Sequence, residues 1–246
     1  MRRLLDALAR WLGPNASMWA LLAIGAGLTL ALSVAGGEVY ESVAQKGRLA
    51  SMDQPVLEAA VAARTPESVA AVTAFTNLGG GLISPIAAAA AAILIAIRTN
   101  HWRALVLVPA AGAGSLLVTV FGKDLAGRAR PPLASAVPPF EYSPSFPSGH
   151  TLNATVLAGI IVYLVALHLR RAWPRAAAIA VAALYAFAMG LSRVYLGHHW
   201  LTDVIAAWLL GLAWLSVVVF AHRVFILVRA RRARRAGRAG RAGPGG

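Results

Sequence analysis

Three short clusters in this chain carry residue types able to act on an anion. The first is Pro147-Ser148-Gly149-His150, where a Pro-rich loop gives way to a long apolar run. Ser is a good helix N-cap, and a helix start presents free backbone N–H groups to an anion. A His in that first turn can give a proton to whatever is bound there. The second cluster is Lys123, six residues, then Arg130-Pro131. A tetrahedral phosphate takes Lys as a point charge and Arg as a two-pronged donor. The third is Ser192-Arg193, five residues, His199, three residues, Asp203. Four residues apart on a helix, His199 and Asp203 share a face. A carboxylate on one imidazole nitrogen fixes the tautomer and leaves the other nitrogen free as a nucleophile.

Plainer readings exist for each cluster. Lys123 and Arg130 could be interfacial anchors that snorkel at a helix end. Ser148 and Gly149 could be only a cap and a bend, with His150 incidental. His150, His198, His199 and Asp203 are plausible zinc ligand types. Against zinc, Lys123, Arg130 and Arg193 would repel a cation, and they supply the neutralisation a metal would otherwise provide. The expectation is therefore no metal and no cofactor. His198 is given packing or a weak supporting place, and His101, His168 and His222 structural ones.

The elements that must position these clusters are membrane spans. The chain has 246 residues, 59% hydrophobic and only 13% charged, with mean hydropathy +0.67. Soluble domains carry about 25% charged residues, so this chain is too apolar for one soluble core. It has no Cys, hence no disulfide and no thiolate chemistry. A net charge of +14 would raise nucleic acid as a partner. The charges sit at the ends of apolar runs, however, which is the pattern of membrane topology.

Residues 1–16 read as a short interfacial helix. Met18 to Ala35 is the first span; it also fits a cleavable signal peptide, but it is long enough to cross. Residues 36–67 are polar and hold one amphipathic segment, roughly Pro55 to Ala63. Gly79-Gly80-Gly81 breaks the long apolar run 68–98 and leaves Leu82 to Ile97 as the second span. The remaining spans are Ala104 to Gly122, His150 to Leu169, Ala176 to Leu191, and one within Leu201 to Val228. The fold class is thus an all-α polytopic membrane bundle of about six helices, with a short interfacial helix between the first two. Residues 1–228 form one membrane-embedded domain, and 229–246, only Arg, Ala, Gly and one Pro, read as a disordered basic tail.

With a cytoplasmic N-terminus, six spans return the C-terminus to the cytoplasm. The basic clusters 2–10, 98–103, 170–175 and 223–241 then lie inside, with 16 of the 23 basic residues and one acid, Asp6. The same assignment puts Lys123, Arg130, His150, Arg193 and His199 together on the outer face.

In order and internal spacing, the three clusters resemble the three-part signature of the type 2 phosphatidic acid phosphatase family. The resemblance implies a metal-independent membrane phosphatase working through a phosphohistidine. By that similarity Lys123, Arg130 and Arg193 bind phosphate with Ser148 and Gly149. His150 is then the general acid, His199 the nucleophile and Asp203 the carboxylate that orients it. The expected substrate is a lipid phosphate or isoprenoid diphosphate: phosphatidic acid, phosphatidylglycerol phosphate or undecaprenyl diphosphate. The expected location is the cell (inner) membrane, with both termini cytoplasmic, an extracytoplasmic site and no nucleic-acid partner. Three rivals differ in testable ways. A haloperoxidase shares the anion site but belongs to a soluble branch. A sugar-phosphate phosphatase shares the chemistry and is separated by substrate. A non-enzymatic lipid-binding or transport protein has no need of His150, His199 and Asp203 at this spacing.

Overall fold

The computed structural model describes residues 16–241, all helix and connecting loop. In chain order the helices are α1 Ala16–Ala44, α2 Asp53–Ala62, α3 Pro66–Asn77, α4 Ile83–Thr99, α5 Arg103–Ala126, α6 Gly149–Ala166, α7 Ala172–Tyr195 and α8 Leu201–Arg241. Among these, α1, α5, α6, α7 and α8 are long and apolar enough to cross a membrane. The apolar pattern predicts six spans. Its second, near Leu82 to Ile97, is the 17-residue α4. At 1.5 Å per residue such a helix reaches about 26 Å, which puts it at the lower limit of length for crossing a hydrocarbon core of about 30 Å. The expected interfacial helix at 1–16 lies outside the described residues, Ala16 excepted.

Between α1 and α4 there are two short helices rather than one. The expected segment at Pro55 to Ala63 is α2. The second, α3, is set off by a capping box in which Thr65 and Ser68 satisfy each other's backbone N–H groups, followed by Pro66 in the first turn. The sequence hides it because its residues join the apolar run of α4 without a polar gap. The break at Gly79-Gly80-Gly81 is a turn, as expected. At the other end, α8 runs on to Arg241, where composition predicts a disordered tail from Arg229; residues 242–246 lie outside the described residues. The reason is local. Arg and Ala are strong helix formers, and they extend a helix already nucleated in the membrane, so no new nucleus has to form.

Helix α8 is the axis of the bundle. It packs against α1 along much of its length and against α5, α6 and α7. The core joins Ala88 and Ala92 of α4, Val108 and Ala111 of α5, Leu152, Val156 and Ile160 of α6, and Ala207 of α8. Small residues let the helices approach, as bundles in lipid require. Trp214 of α8 lies over Gly114 of α5, where a Cβ would collide with the indole. Its Nε1 donates to the Ala111 carbonyl at 2.9 Å. Large apolar side chains such as Ile97, Phe121 and Val181 face outward, about 70% exposed. That pattern suits a protein solvated by lipid.

Antiparallel packing brings the C-terminal ends of α5 and α7 and the N-terminal starts of α6 and α8 to one end of the bundle. Gly127, in the left-handed region at φ 55°, ends α5 and turns the chain into the 127–148 loop. Gly197 at φ 71° makes the α7–α8 turn. A Cβ there would collide with the Ser135 carbonyl oxygen, so the turn needs glycine for space as well as for φ.

Candidate active site

The three sequence clusters meet at that end. His199 lies in the α7–α8 turn and Asp203 in the first turn of α8, 1% and 0% exposed. His199 Nδ1 is 3.4 Å from Asp203 Oδ2. Arg130 Nη1 is 3.2 Å from His199 Nε2. A guanidinium can only donate, so Nε2 must accept and Nδ1 carries the proton toward Asp203. Geometry therefore selects the tautomer that leaves Nε2 unprotonated, its electron pair turned toward Arg130. Burial pushes the His199 imidazole down to about 4, with Asp203 pulling it up and Arg130 and Arg193 pushing it further down. The ring is neutral at physiological pH.

Arg130 also donates to the carbonyls of Ser143, at 2.7 Å, and His198, at 2.6 Å. Lys123 Nζ donates to Ser143 Oγ at 3.2 Å and to the Pro144 carbonyl. Arg193, 2% exposed, donates from Nη1 to Thr76 Oγ1 at 3.1 Å, and its Nε is buried without a partner among the described residues. Ser148 holds the N-cap position of α6, but its hydroxyl does not cap the helix. Instead it accepts from Thr151 Oγ1 at 2.9 Å, and its N–H donates to the Asp203 carbonyl at 3.2 Å. The α6 start is thereby tied to the α8 start. Gly149 faces Thr119, whose Cγ2 would be 3.1 Å from a Cβ.

His150, Gly149, Lys123 and His199 line one cavity of about 600 Å³. Glu141, Ser143, Ser115, Thr119 and Asn153 add polar groups, and most of the remaining wall is apolar, from Pro85 and Ala89 of α4, Val108 and Leu116 of α5, and Leu157 of α6. A larger apolar crevice of about 1150 Å³ lies between α1 and α8 and holds none of the candidate residues.

Several further residues at the site stand outside the three sequence motifs. Glu141 ion-pairs with Arg193 and, at 2.8 Å, with Arg130. Burial opposes its charge, but the two arginines outweigh burial and hold its carboxyl down to about 2. Ser145 donates to Asp203 Oδ2, and the Trp200 N–H reaches the same oxygen at 2.9 Å. Arg128 donates to Asp203 Oδ1 at 2.5 Å. Only Arg128 carries a sequence signal, as an extra cation inside the Lys123–Arg130 cluster. Glu141 and Ser145 lie in an aperiodic loop. His198 gains a role: its Nε2 donates to the Val137 carbonyl at 2.6 Å and holds that loop. His168 and His222 sit at the opposite end, bonded to the Leu164 carbonyl and the Tyr163 hydroxyl. Among the described residues, no three His, Asp or Glu side chains gather as a metal-holding group.

Comparison with known proteins gives one picture. Residues 103–226 match the model of the PAP2 superfamily. Phosphatidylglycerophosphatase B of Bacillus subtilis (strain 168) is 34% identical over 164 residues, 66% of this chain and 79% of that protein. Phosphatidylglycerophosphatase B of Escherichia coli (strain K12) is 36% identical over 78 residues, 31% of this chain and 28% of that one. The crystal structure of a transmembrane PAP2 type phosphatidylglycerolphosphate phosphatase from Bacillus subtilis superposes with a TM-score of 0.74 at 26% identity. That match covers 79% of this chain and 96% of the other.

Proposed function

The chain belongs to the PAP2 superfamily, and from that premise we propose the substrate, the residue roles and the orientation of a multi-pass membrane phosphatase. The substrate is a lipid bearing a terminal phosphate, with phosphatidylglycerol phosphate first because two relatives are phosphatidylglycerophosphatases. One observation carries the reading: a single cavity that joins Lys123, His150 and His199 to mostly apolar helix walls. A phosphate headgroup fits the first part and a lipid chain the second. A sugar phosphate would leave the apolar part unused.

In the proposed chemistry, a phosphorus–nitrogen bond forms at His199 Nε2 as the phosphorus–oxygen bond to the lipid breaks. His150 gives the departing oxygen its proton. Water then attacks phosphorus, His150 takes the water's proton, and inorganic phosphate leaves with His199 restored. Lys123, Arg130, Arg193, the Ser148 hydroxyl and the Gly149 N–H at the start of α6 hold the phosphoryl oxygens, which in such a transfer is most of the catalysis. Asp203 keeps the His199 proton on Nδ1. The three cations supply the neutralisation that a metal gives elsewhere.

The test is phosphate release from a panel of phosphatidylglycerol phosphate, phosphatidic acid, undecaprenyl diphosphate and a sugar phosphate in detergent. Release should survive EDTA and be blocked by vanadate, which copies five-coordinate phosphorus. Loss of activity in EDTA, restored by a divalent metal, refutes the metal-independent chemistry. A faster rate on the sugar phosphate than on any lipid refutes the substrate class.

The arginine asymmetry supports both termini in the cytoplasm of the inner membrane and an extracytoplasmic site. The chain has no Cys, so a single introduced thiol reports its own side. In intact cells an impermeant maleimide should label Leu133→Cys, an exposed loop position, and spare Ala233→Cys at the far end of α8. The reverse pattern places the site inside.

A further inference from the structure

The Arg128 guanidinium stands behind the candidate nucleophile rather than in front of it. It does not line the substrate cavity, which carries Lys123 and His199. From Nη1 it donates to Asp203 Oδ1 at 2.5 Å and to Thr202 Oγ1 at 2.7 Å; from Nη2 it donates to Asp53 Oδ2 at 2.6 Å. Its planar fork thus spans two carboxylates from separate nitrogens. The guanidinium also packs over the Trp200 ring, 5.6 Å from its centroid, and the indole Nε1 is fixed to the Ala129 carbonyl at 2.9 Å.

Asp53 completes the arrangement from a distant part of the chain. It opens α2 and is 4% exposed. One oxygen accepts the Thr202 backbone N–H at 2.9 Å; the other accepts the Thr202 hydroxyl at 2.7 Å. It therefore anchors the free Thr202 N–H at the start of α8, which a carboxylate satisfies well. Asp53 neutralises the half of Arg128 that Asp203 does not use. Asp203, in turn, has Oδ1 on Arg128 and Oδ2 shared by Ser145, the Trp200 N–H and His199. With its first oxygen pinned by Arg128, the carboxylate cannot rotate its second away from the imidazole.

We propose that Asp53 and Arg128 are positioning residues: together they clamp Asp203 and the first turn of α8, and so aim His199 at the phosphorus. This makes Arg128 different in kind from its neighbours in the same cluster: Lys123 lines the cavity, and Arg130 meets His199 at Nε2, on the side away from Asp203. It also gives the α2 segment a part in the reaction that its distance of 149 residues from Thr202 conceals. The inference rests on the proposed role of His199.

The test uses the full chain in detergent, with Arg128→Gln, Asp53→Asn, the double variant Asp53→Asn/Arg128→Gln, and His199→Ala as reference. Each is assayed on a lipid phosphate and an aryl phosphate, with Tm measured on the same samples. A small loss of aim costs up to about a hundredfold in rate. Arg128→Gln should therefore lower kcat by about ten- to a hundredfold on both substrates alike, with KM within about twofold. The double variant removes equal and opposite charges, so its Tm should lie above that of either single variant while kcat stays low. Recovery of kcat together with Tm overturns the proposal, since the pair is then charge balance only. A rise in KM at unchanged kcat also overturns it, making Arg128 a phosphate-binding group. If a single variant does not fold, the double variant decides by the same readings. If His199→Ala remains active, the site reading itself fails and this inference with it; normal kcat in Arg128→Gln beside a dead His199→Ala refutes this inference alone.

Discussion

His199→Ala should form no phosphoenzyme with any substrate, whereas His150→Ala should fail on lipid phosphates and largely survive on aryl phosphates. The two histidines line the same cavity, but only His199 has a carboxylate behind one nitrogen and the other held unprotonated. Loss of a nucleophile that works as a unit with its partners costs roughly a ten-thousandfold or more in kcat. Loss of a general acid costs about a hundred- to ten-thousandfold, and only where the leaving group needs a proton. A lipid alkoxide needs one; an aryl oxide hardly does. Rapid-quench measurement of the first step isolates this difference, because the later hydrolysis is common to both substrates. Equal proportional losses for His150→Ala on the two substrates would make His150 a phosphate-binding residue. The pH dependence carries a related sign. The neutral form of His199 is the reactive one, and its free-enzyme value is about 4. Protonation of His199 therefore reduces kcat/KM only as pH falls through about 4. A fall between pH 8 and 5 belongs to another group or to the substrate phosphate.

Arg193→Lys should lose about a hundredfold or more in kcat/KM although it keeps the charge. Arg193 is buried and uses separate nitrogens for Thr76 and Glu141, while its Nε has no partner among the described residues. A buried donor without a partner is costly, and in the proposed role it serves a phosphoryl oxygen. Lysine brings one ammonium to a place where three directions must be served. Steady-state kinetics on phosphatidylglycerol phosphate, with Tm as control, read the result. A near-normal rate at normal Tm would reduce Arg193 to a plain electrostatic charge.

Much of this arrangement is legible in the order of residues along the chain. Apolar runs and arginine asymmetry place Lys123, Arg130, His150, Arg193 and His199 at one end, and the fold brings them there. Four-residue spacing puts His199 and Asp203 on one side, though His199 lies in the turn before α8 rather than on the helix. Periodicity cannot reach partners held by tertiary contact alone. Asp53 lies in a polar segment among other acids, and nothing local marks it as the one that goes inside. Glu141 and Ser145 belong to a loop whose path is set by His198, Arg130 and Lys123 bonding to its carbonyls. The helical state of 229–241 escapes a reading of its composition alone, because the long helix that feeds it supplies the nucleus.

On the proposed phosphate-binding roles of Arg130 and Arg193, Glu141, set between them, makes substrate capture an ion exchange. Its carboxylate brings one negative charge to those guanidiniums. A phosphodiester headgroup also carries one, so in taking that place it gains nothing by charge. A terminal phosphate monoester carries about −1.5 to −2 near neutral pH and gains up to one further unit against Lys123, Arg130 and Arg193. The ordinary phospholipids of a bilayer are diesters and vastly outnumber any monoester dissolved among them. An enzyme immersed in its own competitors is thus protected by a resident counter-ion. On that reading it sorts scarce monoesters from the surrounding lipid by valence before shape is consulted.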